Sequence, residues 1–133
     1  MPMQALDTNL LVRLFVNDDA AQAAKVRSLL DRHAAEDAAF WVADTVLVEL
    51  AWTLERVYER SRADIAAALQ ALGSNATLQL ESPTAVAQAC ALYAAGTADF
   101  ADCLLCTKAG AAGCDRVRSF DRKMRRLPGV ELM

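Results

Sequence analysis

Hydrophobic residues follow two alternating patterns along the chain. Short runs rich in apolar residues, typical of strands, alternate with longer segments in which apolar residues recur at helical spacing. Because strands that alternate with helices form parallel sheets, the pattern predicts an α/β fold with helices on both faces of the sheet. The predicted strands are 3–6, 39–43, 76–80, 116–120 and 129–133, and the predicted helices are 8–16, 19–36, 44–60, 61–74, 83–96, 99–113 and 121–127.

The composition indicates a folded chain. Of the 133 residues, 55% are hydrophobic and 23% are charged, and no linker, internal repeat or low-complexity tract divides them. We therefore expect one domain over residues 1–133. The apolar runs are too short to span a bilayer and the start does not resemble a signal peptide, so no membrane association and a cytoplasmic location are expected.

The histidine and the cysteines do not form a pattern typical of a metal or redox site. His33, the one histidine of the sequence, lies near the end of a predicted helix, where a solvated side chain is expected. Cys103 and Cys106 form a CxxC pair, but Cys90 and Cys114 do not form the second pair that a zinc site normally has. Buried thiols without a metal are therefore the expectation for the pair.

Acidic residues stand where predicted strands end and helices begin. Asp7 ends the first strand and Asp121 follows the fourth. Asp99 and Asp102 open a helix, and Glu49 lies early in the helix after the second strand. Ligands of such folds bind beyond the carboxyl ends of the strands, so the five acids are expected to face one edge of the sheet. A purely structural role remains the alternative for Asp7, Asp99 and Asp121, because they also occupy positions typical of helix caps.

Glu49 does not fit the capping alternative. It lies beyond the first turn of a helix that begins near Asp44, and its neighbours Val48 and Leu50 are apolar. No basic residue is available on the same helix face, so we expect an unpaired carboxylate in apolar surroundings. Such a group needs an arginine or a cation from elsewhere in the fold.

Converging carboxylates favour a hard divalent cation. Mg²⁺ and Mn²⁺ prefer oxygen ligands, and one or two such ions would compensate the negative charge of this cluster. The chemistry typical of such a site is phosphoryl transfer by water. Asp7, Asp102 and Asp121 are the candidate ligands, directly or through water, and Glu49 is the candidate for orienting or deprotonating the water. Ser119 and Asn9 are candidates for steadying the cluster by hydrogen bonds.

Basic residues are concentrated near the end of the chain. Residues 115–126 carry a local charge of +4, whereas the net charge of the whole chain is −3. A basic patch beside an acidic cluster is suited to holding a polyanion. The candidate phosphate-binding residues are Arg116, Arg118, Arg122, Lys123, Arg125 and Arg126.

Four motifs in order along the chain resemble the PIN domain, in the form found in VapC-type toxins of bacterial toxin–antitoxin pairs. They are LDTNLLVR at 6–13, LVEL at 47–50, ADFADCLL at 98–105 and SFDRKM at 119–124. The resemblance implies a three-layer α/β/α sandwich with a central parallel sheet and an Mg²⁺- or Mn²⁺-dependent endoribonuclease. It also implies a homodimer held inactive by a small antitoxin whose tail enters the acidic site.

The family's four acidic positions fall on Asp7, Glu49, Asp102 and Asp121. By the same resemblance Asp99 matches an acid that is less uniform in the family, so its role stays divided between helix cap and supporting acid. Asp7, Glu49, Asp102 and Asp121 are therefore the catalytic and metal-binding residues that the resemblance implies.

Two other functions remain open. LDTN after the first strand is compatible with an aspartate-nucleophile phosphatase, but position 9 is Asn where such enzymes usually have a second aspartate. The other alternative is an α/β module that binds RNA or a protein without cutting it. An RNA-cleavage assay with variants of Asp7 and Glu49 would separate these functions.

Overall fold

The structure is a computed structural model that describes residues 3–133 and divides into two compact units. The N-terminal unit ends at Glu81, and the C-terminal unit begins at Ser82. The expectation of a single domain stays a prediction.

The N-terminal unit contains a three-stranded parallel sheet. Its strand order is β1-β2-β3, with Gln4 opposite Phe40 and Phe40 opposite Leu78. Four helices connect or follow the strands, in the alternation that the hydrophobic pattern predicts. The elements are β1 Gln4–Ala5, α1 Thr8–Phe15, α2 Ala20–Ala35, β2 Phe40–Val42, α3 Asp44–Arg56, α4 Arg62–Gly73 and β3 Leu78–Leu80.

Helix α3 supplies much of the core of this unit. Leu47, Leu50, Ala51 and Leu54 recur at helical spacing, and all four are buried. Burial of a leucine side chain contributes about 1.5–3 kcal/mol to the stability of the fold. Burial of this face therefore determines which side of α3 is turned toward the core of the unit. The helix ends at Arg56, earlier than the predicted end at residue 60. Glu59 has a positive φ of 54°, which is incompatible with a right-handed α-helix at this residue.

The C-terminal unit contains two long helices and two parallel strands. The hydroxyl of Thr107 lies 3.0 Å from the carbonyl oxygen of Ala85 on the other helix and 3.1 Å from that of Leu104 on its own helix, and it donates its one proton between them. The contact to Ala85 links the two helices. The predicted helix at 121–127 is reduced to a 3-10 helix at Arg122–Met124. Pro128 disfavours a helical conformation at Leu127, which opposes continuation of the helix to the predicted end at 127. The other elements are α5 Pro83–Ala95, α6 Phe100–Ala111, β4 Val117–Ser119 and β5 Val130–Leu132.

The predicted α/β fold with parallel strands is confirmed, but one expectation about a single residue is wrong. His33 is buried, not solvated, and its ring stacks on Phe40 with 3.9 Å between the ring centroids. The side chain turns inward because an aromatic surface of β2 is available to cover it. Across residues 3–133, none of the helices has both the length and the hydrophobicity needed to cross a membrane.

Candidate active site

Asp7 joins β1 to α1 and caps the helix. Its Oδ1 accepts a hydrogen bond from the backbone N–H of Thr8 at 2.7 Å, so the capping role expected for Asp7 is confirmed. The carboxylate remains exposed to solvent. Thr8 is buried, and its hydroxyl has no hydrogen-bond partner among residues 3–133. Asp7 therefore lies beside a buried oxygen that is available to a further ligand.

Glu49 is exposed, so the expected burial in apolar surroundings is wrong. The apolar face of α3 is formed by Leu47, Leu50 and Leu54, and Glu49 points away from it. Trp52, one turn further along, is 58% exposed. The carboxylate is therefore accessible to solvent, and its role in a site stays a prediction.

The start of α3 is capped by a residue that sequence reasoning did not identify. Ala43 occupies the N-cap position and has no side-chain oxygen. Instead Glu81, which follows β3, accepts the backbone N–H of Asp44 at 3.0 Å through Oε1. An acid directly after a neighbouring parallel strand was the available signal. Glu81 thus orders the first turn of the helix that carries Glu49.

Asp99 occupies the N-cap position of α6 but makes no capping hydrogen bond with its side chain. Of the two roles left open for Asp99, the structure therefore does not show the side-chain cap, and the role of supporting acid stays a prediction. Its backbone carbonyl still accepts the N–H groups of Asp102 and Cys103, at 3.0 and 3.1 Å, which begins the helix. The exposed carboxylate of Asp99 is left available for other interactions.

Asp102 lies in the first turn of α6 and is half-buried. Burial raises the pKa of this carboxyl above its ordinary value, and the charges of Asp99 and Asp121 raise it further. Lys123 acts in the opposite direction and lowers the pKa. Three carboxylates of the C-terminal unit therefore interact electrostatically, with one lysine as partial compensation.

Asp121 follows β4 and is held by hydrogen bonds on both sides. Its N–H donates to Ser119 Oγ at 2.9 Å, and its Oδ1 accepts the N–H of Lys123 at 2.9 Å. The second contact confirms the capping role expected for Asp121. Ser119 Oγ also lies 3.3 Å from the sulfur of Met124. The contact to Asp121 involves its backbone and not its carboxylate, so the supporting role expected for Ser119 stays a prediction.

The basic residues of the stretch 115–126 fall into two groups. Arg116 and Arg118 both pair with Glu131 of β5, at 3.0 and 3.3 Å. The remaining four are exposed, and within residues 3–133 none of them forms an ion pair. We call these four the free cations; they are Arg122, Lys123, Arg125 and Arg126.

Phe120 is a feature that sequence reasoning left without a role. It lies between Ser119 and Asp121 and is 83% exposed, more than any other large hydrophobic side chain of residues 3–133. The hydrogen bond from Asp121 to Ser119 spans it, so its backbone is held while its ring faces solvent. An aromatic residue inside a basic stretch was the available signal.

Asn9 lies apart from these contacts. It lines a cleft of about 320 Å³ between α1 and α2, together with Leu10, Arg13, Lys25 and Val26 among others. Its side chain forms no hydrogen bond within the described part of the chain. The supporting role expected for Asn9 stays a prediction.

The available donors fit a hard divalent cation better than a soft one. Cys90, Cys103 and Cys106 are buried, and within the described residues of either unit no group of three or more His, Cys, Asp or Glu side chains is arranged to hold a metal. The acids of the C-terminal unit nevertheless concentrate negative charge around Asp102, and Thr8 supplies an unsatisfied buried oxygen in the N-terminal unit. Carboxylate and hydroxyl oxygens are the ligands that Mg²⁺ and Mn²⁺ take.

Comparisons with known proteins identify the family. The chain is 26% identical over 125 residues to a VapC ribonuclease of Aquifex aeolicus (strain VF5), an alignment that covers 94% of this chain and 92% of that protein. The family model described as PIN domain matches residues 5–130, which includes Asp7, Glu49, Asp99, Asp102 and Asp121. On the strength of a match that spans nearly the whole sequence, this chain belongs to the PIN domain family.

Proposed function

We propose that this protein is an endoribonuclease that hydrolyses RNA phosphodiester bonds with Mg²⁺ or Mn²⁺. The observation that carries the proposal is the concentration of three carboxylates around Asp102 next to the free cations, in a chain of the PIN family. Negative charge that is not fully compensated favours a cation, and exposed arginines and lysines favour a polyanion. The similarity to a VapC ribonuclease supports RNA as that polyanion.

Asp7, Glu49, Asp102 and Asp121 are the proposed metal-binding acids, with Asp99 as a supporting acid. One or two bound ions would polarise the phosphate and stabilise the departing oxygen. Glu49 is exposed on α3 and is suited to orient the attacking water and accept its proton. The water oxygen then bonds to phosphorus as the bond from phosphorus to the departing ribose oxygen breaks.

The free cations are the proposed contacts to phosphates on either side of the cleaved bond. Phe120 adds an exposed ring beside Asp121, on which an unpaired base can stack. Bases are available for stacking in single-stranded loops and ends, whereas in a duplex they are enclosed. We therefore propose that the substrate is an RNA with unpaired nucleotides at the cleaved position.

The test compares cleavage of a structured RNA by the wild-type protein with and without Mg²⁺, Mn²⁺ and a chelator. Asp121→Asn is expected to lower the rate constant by about 100-fold or more. Asp115→Asn removes the same charge from the same basic stretch but lies outside the site, so it is the matched control. In α3, Glu49→Gln is compared in the same way with Glu55→Gln.

Calorimetry of metal binding provides a readout that is independent of cleavage. The Asp121→Asn and Glu49→Gln variants are expected to bind Mn²⁺ more weakly than their controls. Equal cleavage by all four variants, or cleavage that a chelator does not affect, would refute the proposal. Phosphate release from small monoesters with intact RNA would indicate a phosphatase, and tight RNA binding without cleavage would indicate a binding module.

We also propose that the protein is the toxin of a type II toxin–antitoxin pair and acts as a homodimer. The similarity to a VapC ribonuclease over 94% of the chain supports this role. Expression of the protein alone is expected to arrest growth, and co-expression with the product of a neighbouring small open reading frame is expected to restore it. Light scattering of the purified protein tests the homodimer, because it measures the mass of the protein in solution and thereby the number of copies that associate.

A further inference from the structure

A second cleft lies in the C-terminal unit, outside the acids described above. Its volume is about 320 Å³, and it lies between the end of α5, the loop 96–98 and the segment 123–127. The loop leads directly into Asp99, the first acidic residue of the motif at 98–105. Gly96 allows the chain to pass close to α5, because a Cβ there would lie 3.1 Å from the carbonyl oxygen of Leu92.

The lining of this cleft has an apolar part and a cationic part. Leu92, Ala95 and Leu127 contribute apolar surface. Lys123 and Arg126 also line the cleft, and both belong to the free cations. A ligand with a flat, weakly polar portion and an attached anion would satisfy both parts.

Lys123 connects the cleft to the acidic residues. Its backbone N–H donates to Asp121 Oδ1 at 2.9 Å. Lys123 therefore belongs both to the lining of the cleft and to the hydrogen bonds that hold Asp121.

We propose that this cleft binds one unpaired nucleotide of the RNA substrate, with its phosphate at Lys123 and Arg126 and its base against Leu92 and Leu127. The inference rests on the proposed function and adds a substrate subsite to it. The volume lies at the lower end of the range of about 300–1,000 Å³ for small-molecule sites, which suits a single nucleotide. The base must be unpaired, because a base stacked within a duplex cannot enter a cleft.

The first experiment measures binding of adenosine 5′-monophosphate to the full chain in the presence of a chelator. Backbone amide shifts in a titration by NMR report both affinity and location. We expect saturable shifts at 91–98 and 123–127, with inorganic phosphate and adenosine each binding at least about tenfold more weakly. No saturable shift in these segments would overturn the proposal.

Two alanines at the end of α5 provide a matched pair of variants. Both Ala94 and Ala95 are exposed, but only Ala95 lines the cleft. Ala95→Phe is expected to occupy the space that the base would fill, and therefore to weaken nucleotide binding by about tenfold and to raise the KM for RNA by a similar factor. Ala94→Phe is expected to leave both within about twofold. Equal effects of the two variants would overturn the proposal.

Arg126→Gln keeps the proposal testable if Ala95→Phe does not fold. This variant is expected to weaken binding of the nucleotide but not of adenosine, because it removes only the contact to phosphate. A loss of equal size for both ligands would contradict the assigned orientation.

The same measurements separate this inference from the proposed function. Nucleotide binding that depends on Ala95, without any RNA cleavage in Mg²⁺ or Mn²⁺, would contradict the nuclease and leave the subsite standing. Cleavage without nucleotide binding would contradict the subsite alone. Stronger binding of a polyglutamate peptide than of oligouridylate at the cleft would overturn the RNA assignment in favour of an acidic protein partner.

Discussion

Neutralising basic residues one pair at a time is expected to weaken RNA binding unequally across the stretch 115–126. Arg116 and Arg118 share the carboxylate of Glu131, and Arg116 also lies 3.9 Å from Asp115. Together these four groups carry no net charge. Their potential at a nearby phosphate is therefore small, although the arginines themselves are exposed.

The four free cations face only one acid in their own segment, Asp121. Each cation that contacts a phosphate of single-stranded RNA lowers the slope of log K against log salt concentration by about 0.7. Contacts from all four predict a slope of about −3 for the wild-type protein. Replacing Arg122 and Arg125 by glutamine should make the slope less steep, at about −1.5. Replacing Arg116 and Arg118 should change the slope by less than about 0.5.

Fluorescence anisotropy of a labelled single-stranded RNA measures these slopes between about 50 and 200 mM salt, with chelator present to prevent cleavage. The two double variants remove the same formal charge from the same stretch, so net charge alone cannot distinguish them. Equal flattening of the slope by both would refute the reasoning, because it would mean that the pairing with Glu131 does not restrict Arg116 and Arg118.

Three further changes test the candidate site. Asp102→Asn should lower cleavage by about 100-fold or more, yet raise the Tm at pH 7. The folded-state pKa of Asp102 is raised, so ionisation destabilises the fold, and calorimetry should show the gain appearing only above about pH 4. Glu81→Ala should lower the free energy of unfolding by about 1 kcal/mol, measured in urea against Glu55→Ala, because it removes the cap of α3. Phe120→Ala should raise the KM for single-stranded RNA about tenfold without changing the Tm, with the exposed Leu105→Ala as control in the same assay.

Elements with a strong local signal could be predicted from the sequence. The spacing of Leu47, Leu50, Ala51 and Leu54 identifies the buried face of α3, and Asp7 is recognisable as a cap because its partner is the next residue. Such features depend on contacts within a few residues of each other. The positions of the acids at strand ends follow from the same local patterns.

Burial and distant partners could not be predicted in the same way. The apolar neighbours Val48 and Leu50 suggested that Glu49 is enclosed, but neighbours in sequence lie on different sides of a helix, and Glu49 is exposed. Conversely, His33 is buried by its stacking on Phe40, which no local pattern indicates. Glu81 caps a helix that begins 37 residues earlier, and only the pairing of β2 with β3 brings the two together.

Asp99 illustrates why residue type alone does not determine a role at a helix start. Asp7 and Asp19 stand at N-cap positions and accept hydrogen bonds from the first turns of their helices, whereas Asp99 stands at the same position and does not. A missing cap costs about 1 kcal/mol, and the carboxylate of Asp99 additionally raises the pKa of Asp102. Both effects oppose folding in the absence of a cation. This arrangement is understandable if the carboxylates are held for a positively charged ligand rather than for the helix, which is the physical reason for proposing that α6 contributes to the active site.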